Sequence, residues 1–134
     1  MKIWYGYGSE HSMNLVMIGR FKEVGDAEKA RQVLEKLIQQ VNADVQAGLM
    51  ESGERAERYT ERMLELLGKE KVHSIAPEEL GQFEYDARIM VKDNEVVLTT
   101  DEADVSAFLK VLLEKGARIE VYSAHDYPDT GYGR

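Results

Sequence analysis

The 134-residue chain contains no cysteine, only two prolines and no long apolar run. Without cysteine, neither a disulfide framework nor a thiolate metal site can form, which fits a reducing compartment. The longest apolar run, residues 15–18, is far shorter than the roughly 20 residues that a membrane-spanning helix needs. No signal peptide is recognisable either. These absences predict a cytoplasmic protein that does not bind a membrane.

Basic charge is also scarce. The chain carries 17 Lys and Arg against 25 Asp and Glu, a net charge of −8. Such a field repels nucleic acids unless a local basic patch overrides it, and no run of Lys or Arg is present. We therefore expect no nucleic acid partner. A basic protein surface, a small molecule or a cation suits the charge better, although acidity can also serve only solubility.

The clearest pattern in the sequence predicts a β-hairpin. Residues 83–92 alternate between apolar and mostly polar side chains, as in a strand with one apolar face. Asp93 and Asn94 tolerate the positive φ angles of a tight turn. Residues 95–99 are rich in bulky and β-branched side chains and predict the return strand.

A helix and a last strand are predicted after this hairpin. Asp101 can cap the helix N-terminus, and Gly116 can end the helix in a left-handed conformation. Leu109 lies in the middle of the apolar stripe and is predicted to be fully buried. The stripe consists of Val105, Phe108, Leu109, Leu112 and Leu113. Residues 119–123 alternate again and predict a strand.

The N-terminal part of the chain predicts two further strands. Residues 2–7 are aromatic and predict a short strand, either at a sheet edge or leading into the next strand. Residues 8–12 form a polar loop. Residues 14–21 are apolar on both sides, which predicts a strand that is buried on both faces and central in the sheet.

Two helices are predicted between this strand and the hairpin. The first is capped by Asp26 and stops near Gly48. Its predicted buried stripe comprises Ala30, Val33, Leu34, Leu37, Ile38, Val41 and Val45. The second spans residues 54–68. Residues 76–80 are predicted to form one short helical turn, with Pro77 at its first helical position.

The order strand, helix, extra helix, strand, strand, helix, strand resembles the split β-α-β order of the ferredoxin-like superfold. The resemblance implies an α+β fold with an antiparallel sheet and helices on one face, plus an extra N-terminal strand. We expect a single domain: a strand and loop (1–13), the core (14–124) and an irregular tail (125–134). A superfold does not by itself imply a function.

One candidate site lies at an end of the predicted sheet. In this fold the last strand lies antiparallel beside the first, which brings the loop 8–12 close to residues 125–126. The candidate binding residues are Tyr7, Ser9, Glu10, His11, Tyr122, His125 and Asp126. Two imidazoles and two carboxylates could bind a divalent metal or serve acid–base chemistry. Alternatively, they only satisfy main-chain groups of the loop and strand end.

A second candidate is the sheet face away from the helices. It is predicted to show Glu84, Asp86, Arg88, Arg118, Glu120 and Tyr122 around an apolar centre. Mixed charge and few aromatics disfavour RNA binding. Apolar residues within a charged rim suit a protein contact or a homodimer, unless the N-terminal strand or the tail covers that centre.

Together these patterns favour a non-catalytic interaction protein without a cofactor. Such a protein would act as an inhibitor, immunity or regulatory factor and bind a protein partner or a second copy of itself. The alternative is a small enzyme or divalent-metal-binding protein that uses Glu10, His11, His125 and Asp126.

Overall fold

A computed structural model describes residues 2–3, 15–102 and 104–123 of the chain. Its strands are β1 (Lys2–Ile3), β2 (Leu15–Arg20), β3 (Ala87–Lys92), β4 (Glu95–Thr100) and β5 (Arg118–Ser123). Its helices are α1 (Val24–Gln46), α2 (Glu61–Glu70) and α3 (Ser106–Glu114), with a 3₁₀ helix at Pro77–Glu84.

The strands form one sheet in the order β1-β5-β2-β4-β3. Strand β2 is central and antiparallel to both β4 and β5, as its two-sided apolarity predicts. Strand β1 pairs in parallel with β5 and therefore lies at a sheet edge. The α+β class and the ferredoxin-like arrangement of the four antiparallel strands are confirmed.

The helices cover one face of this sheet and bury its core. Leu15 and Met17 of β2 face the helices and are almost fully buried. Gly19 continues this face, and a Cβ there would lie 3.3 Å from both the Ala117 Cβ and the Leu112 Cδ1. The missing side chain lets the C-terminal part of α3 approach the sheet closely.

The predicted β3–β4 hairpin is present. Lys92 and Glu95 are paired across a two-residue loop. Only Asp93 adopts a positive φ, of 54°. Asn94 instead ties the turn to the end of β2, because its side-chain amide and its carbonyl both bond to main-chain atoms of Phe21.

The strand predicted over residues 83–92 begins later, at Ala87, because a 3₁₀ helix occupies Pro77–Glu84. Pro77 presets the φ angle at the start of this helix, and the Glu79 carboxylate accepts the Ala76 N–H at 2.8 Å. The Phe83 ring is buried edge-on against Phe108, with 5.3 Å between ring centroids. The predicted turn over residues 76–80 was thus too short.

The second helix also begins later than predicted, at Glu61 rather than near residue 54. The hydroxyl of Thr60 accepts the Met63 N–H at 3.1 Å and caps the helix. It also donates to the Asp44 carboxylate at 2.7 Å, and the side-chain amide of Gln40 donates to the same carboxylate at 2.9 Å. These bonds explain how α1 can bury an aspartate. The predicted Asp26 cap of α1 was wrong, because Glu23 is at the N-cap position and Asp26 lies in the first turn, whereas the helix end at Gln46 is close to the predicted stop at Gly48.

Helix α3 lacks the predicted Asp101 cap, since it begins at Ser106 with Val105 at the N-cap position. Its buried face is Ala107, Phe108, Val111 and Leu112. The prediction that Leu109 is fully buried was wrong, because Leu109 lies at the border of this buried face and is half-buried. Leu113, also predicted in the apolar stripe, lies outside the face and is 46% exposed. None of the helices within the described ranges is long and apolar enough to cross a membrane.

Candidate functional site

The ends of β2 and β5 meet as predicted, because Leu15 and Ser123 are paired in the antiparallel ladder. The residues predicted to converge beyond these ends lie outside the described residues: Tyr7, Ser9, Glu10, His11, His125 and Asp126. Within the described ranges, no group of three or more His, Cys, Asp or Glu side chains could hold a metal. Of the predicted site residues, Tyr122 lies within the described ranges. It pairs with Val16 on the face away from the helices.

That face, which we call the open face, is built from three cross-strand rows of side chains. The register places these residues side by side across β3, β4, β2 and β5 in turn. The middle row is Met90, Val97, Ile18 and Glu120. The rows on either side are Arg88, Thr99, Val16 and Tyr122, and Lys92, Glu95, Arg20 and Arg118.

Alternation along each strand gives the open face an apolar centre. Val16 and Val97 are only 1% and 4% exposed although they point away from the helices, while Ile18 beside them is half-buried. Met90, at the β3 end of the middle row, is 53% exposed. The apolar surface therefore runs from a buried centre to an accessible edge.

The charges of the open face differ in sign from those of the whole chain. Four basic residues, Arg20, Arg88, Lys92 and Arg118, surround the apolar centre, against two acidic ones, Glu95 and Glu120. Arg20 and Glu95 form an ion pair at 2.7 Å. The face is thus net basic on a chain of net charge −8.

Two residues predicted for the open face are not part of it. Glu84 belongs to the 3₁₀ helix, where its carboxylate accepts the Ser52 hydroxyl at 2.7 Å and the Gly53 N–H at 3.2 Å. Asp86 precedes β3, and its carbonyl accepts the Thr100 hydroxyl at 3.3 Å. Both errors follow from starting the predicted strand at residue 83.

A polar cluster beside the start of α3 was not predicted from the sequence. Glu79 lies at its centre and accepts hydrogen bonds from the Ala76 N–H, the Ser106 hydroxyl and the Lys110 ammonium, at 2.6–2.8 Å. Burial acts to raise the pKa of this carboxyl, but these hydrogen bonds and the charge of Lys110 outweigh it and lower the pKa. Because each of these Glu79 contacts is internal, the cluster fits a structural role.

Two clefts lie beside α2. One, of about 340 Å³, is lined by Leu49, Arg58, Tyr59, Thr60, Glu61 and Arg62. The other, of about 300 Å³, is lined by Gln40, Arg62, Glu65, Leu66 and Lys69. Neither lining contains histidine or cysteine. The open face is the better-defined candidate.

A family model described as a family of unknown function (DUF6375) matches residues 1–134. Searches of the curated proteins and of the solved structures found no match.

Proposed function

Since the chain belongs to the family of unknown function DUF6375, we propose a function from its surface: it is a non-catalytic interaction protein whose open face contacts a protein partner. The observation that carries this proposal is the accessible apolar part of the middle row, the exposed Met90 and the half-buried Ile18, beside the charged residues of the same face. Protein interfaces combine a desolvated apolar core with a polar rim in the same way. An inhibitor, immunity or regulatory factor would use such a face.

The size of the face bears on how the partner is held. Strands of six residues span about 20 Å, and four neighbouring strands about 15–19 Å. The resulting patch of roughly 300–400 Å² is smaller than the roughly 800 Å² that each partner buries in a standard interface. A stable complex would therefore also use surface next to the open face, at the edges of the sheet.

The charge of the open face indicates the chemistry of the partner. Four basic side chains against two acidic ones favour a surface with an apolar centre and an acidic rim. Two copies joined face to face would oppose two basic surfaces, so we propose a different protein as the partner.

A photo-cross-linking amino acid at Met90 tests the proposal in the source organism. Leu64 on α2 is the matched control, since the two side chains are 53% and 52% exposed. We expect one protein to be captured from position 90 and not from position 64. Its purified form should then bind wild-type protein but bind Arg118→Glu about tenfold more weakly, as expected when a rim charge is reversed.

The variant Arg62→Glu changes the net charge equally but lies on α2, so it should bind like wild type. Equal effects of the two variants, or capture of a second copy of the chain from position 90, would refute a separate partner at the open face. Sedimentation of the captured complex identifies the second case.

A second candidate function is a divalent-metal or acid–base site at Glu10, His11, His125 and Asp126. It is supported by the pairing of Leu15 with Ser123, because His11 lies shortly before Leu15 in the sequence and His125 lies shortly after Ser123. NMR titration of both imidazoles with and without zinc tests it, with His11→Ala/His125→Ala as the control. Independent titrations without a response to zinc would contradict a metal site.

A further inference from the structure

Strand β3 is the edge of the sheet on the side away from β1. Alternate residues of an edge strand direct their N–H and C=O groups away from the sheet, where another strand can bind them. Among the described residues, no main-chain to main-chain hydrogen bond outside the β3–β4 ladder involves residues 87–91. This six-residue edge therefore has the geometry to accept one more strand.

The side chains of β3 restrict which strand would fit. Ala87, Ile89 and Val91 face the helices and are half-buried, whereas Arg88, Met90 and Lys92 are exposed on the open face. Cross-strand neighbours lie about 5 Å apart, so residues of an added strand would stand directly beside these three. The complementary sequence carries an acidic, an apolar and an acidic residue at alternate positions.

One register for pairing two copies through this edge is disfavoured by charge. A two-fold arrangement centred on Met90 would place Arg88 of each copy opposite Lys92 of the other. Like charges directly opposite each other destabilise a strand pair. The basic residues thus select against a second copy in this register and in favour of an acidic strand.

We propose that β3 binds an extended acidic segment of the partner by strand addition, which would continue the interface past the open face. This inference rests on the proposed function and names the kind of segment that the partner contributes. It also provides the additional surface that the small open face needs. The competing explanation is that Arg88 and Lys92 only protect the edge from aggregation.

Synthetic nine-residue peptides test strand addition. The probe is Thr-Val-Glu-Val-Leu-Val-Glu-Val-Thr, in which the two glutamates flank the central leucine on one face. We expect it to bind and to slow hydrogen exchange of the β3 amides. A control peptide with lysine in place of both glutamates should bind about tenfold more weakly, because two cross-strand pairs become repulsive.

Backbone methylation separates strand addition from simple charge attraction. Two further peptides carry N-methyl groups, one on the four valines and the other on the five remaining residues. In a strand bound in one direction only one of these sets faces β3, so one peptide should lose binding and the other keep it. Equal binding of both, or binding without protection of β3, would overturn the proposal.

A charge reversal in the protein completes the test. Arg88→Glu/Lys92→Glu should invert the preference and bind the lysine peptide better, whereas Arg58→Glu/Arg62→Glu changes the net charge equally but should not. Strand addition, but not the open-face proposal, would be refuted by the following result: Arg118→Glu loses partner binding, the β3 reversal has no effect on it, and the peptides do not bind. Partner binding unaffected by Arg118→Glu would contradict the open-face proposal itself.

Discussion

The side chain of Gln82 caps helix α3 from the 3₁₀ helix, with its carbonyl oxygen accepting the Ala107 N–H at 2.7 Å. Its amide group donates to Asp104 and Ser106, both at 3.0 Å. Gln82 is only 4% exposed. Three interactions of one buried amide therefore join two elements that are 25 residues apart.

Replacing this amide should destabilise the fold. Gln82→Ala leaves the Ala107 N–H without its acceptor, and an unsatisfied buried donor costs about 1–3 kcal/mol. Urea denaturation measures the loss. Gln32→Ala, at an exposed position of α1, should change the free energy of unfolding by less than about 0.5 kcal/mol. Similar values for both variants would contradict the capping role.

Neighbouring leucines of α3 should differ sharply. Leu112 is fully buried and Leu113 is 46% exposed. Leu112→Ala should therefore cost about 2–5 kcal/mol through lost burial and a cavity, and Leu113→Ala less than about 1 kcal/mol. Leu109→Ala should fall between them because Leu109 is half-buried. A larger loss at position 113 than at 112 would mean that α3 is rotated.

Stability should depend on pH through Glu79, whose pKa is lowered in the folded protein. A carboxyl with a lowered folded pKa stabilises the protein above its unfolded pKa of about 4.3. That contribution disappears as the pH falls through the folded pKa. Wild type should thus lose more stability between pH 6 and pH 3 than Glu79→Gln. A constant difference between the two denaturation curves would argue against this assignment.

Two glycines should respond in opposite directions to alanine. Gly116 has a φ of +97°, and alanine in a left-handed conformation costs about 1–2 kcal/mol. Gly25 lies in the first turn of α1 with no atom near an added Cβ, so Gly25→Ala should stabilise by about 0.4–1 kcal/mol. Thermal unfolding of both variants gives the signs.

The sheet could be predicted from the sequence because its signals are local. Two-sided apolarity placed β2 at the centre, and Asp93 and Asn94 marked the hairpin. The C-terminal half of the 3₁₀ helix was missed because the alternation of β3 continues back to Phe83, so a strand and a buried 3₁₀ helix give the same local pattern. The late start of α3 was missed because Gln82, far away in sequence, supplies its cap.

The candidate site could be predicted only in part. Arg88, Arg118, Glu120 and Tyr122 were placed on one face by alternation alone, and the register confirms them there. The net basic charge of this face, opposite in sign to that of the whole chain, could not be foreseen, because it depends on where Arg20 and Lys92 lie across the sheet. That information belongs to the strand order and not to any single segment.

The parallel pairing of β1 with β5 has a consequence for folding kinetics. Lys2 pairs with Glu120 and Ile3 with Val121, so this contact joins positions separated by most of the chain. The β3–β4 hairpin, by contrast, closes across two residues. Loop-closure entropy rises with separation, and distant contacts form late. Strand β1 should therefore be the last to join the sheet during refolding, after the hairpin has formed.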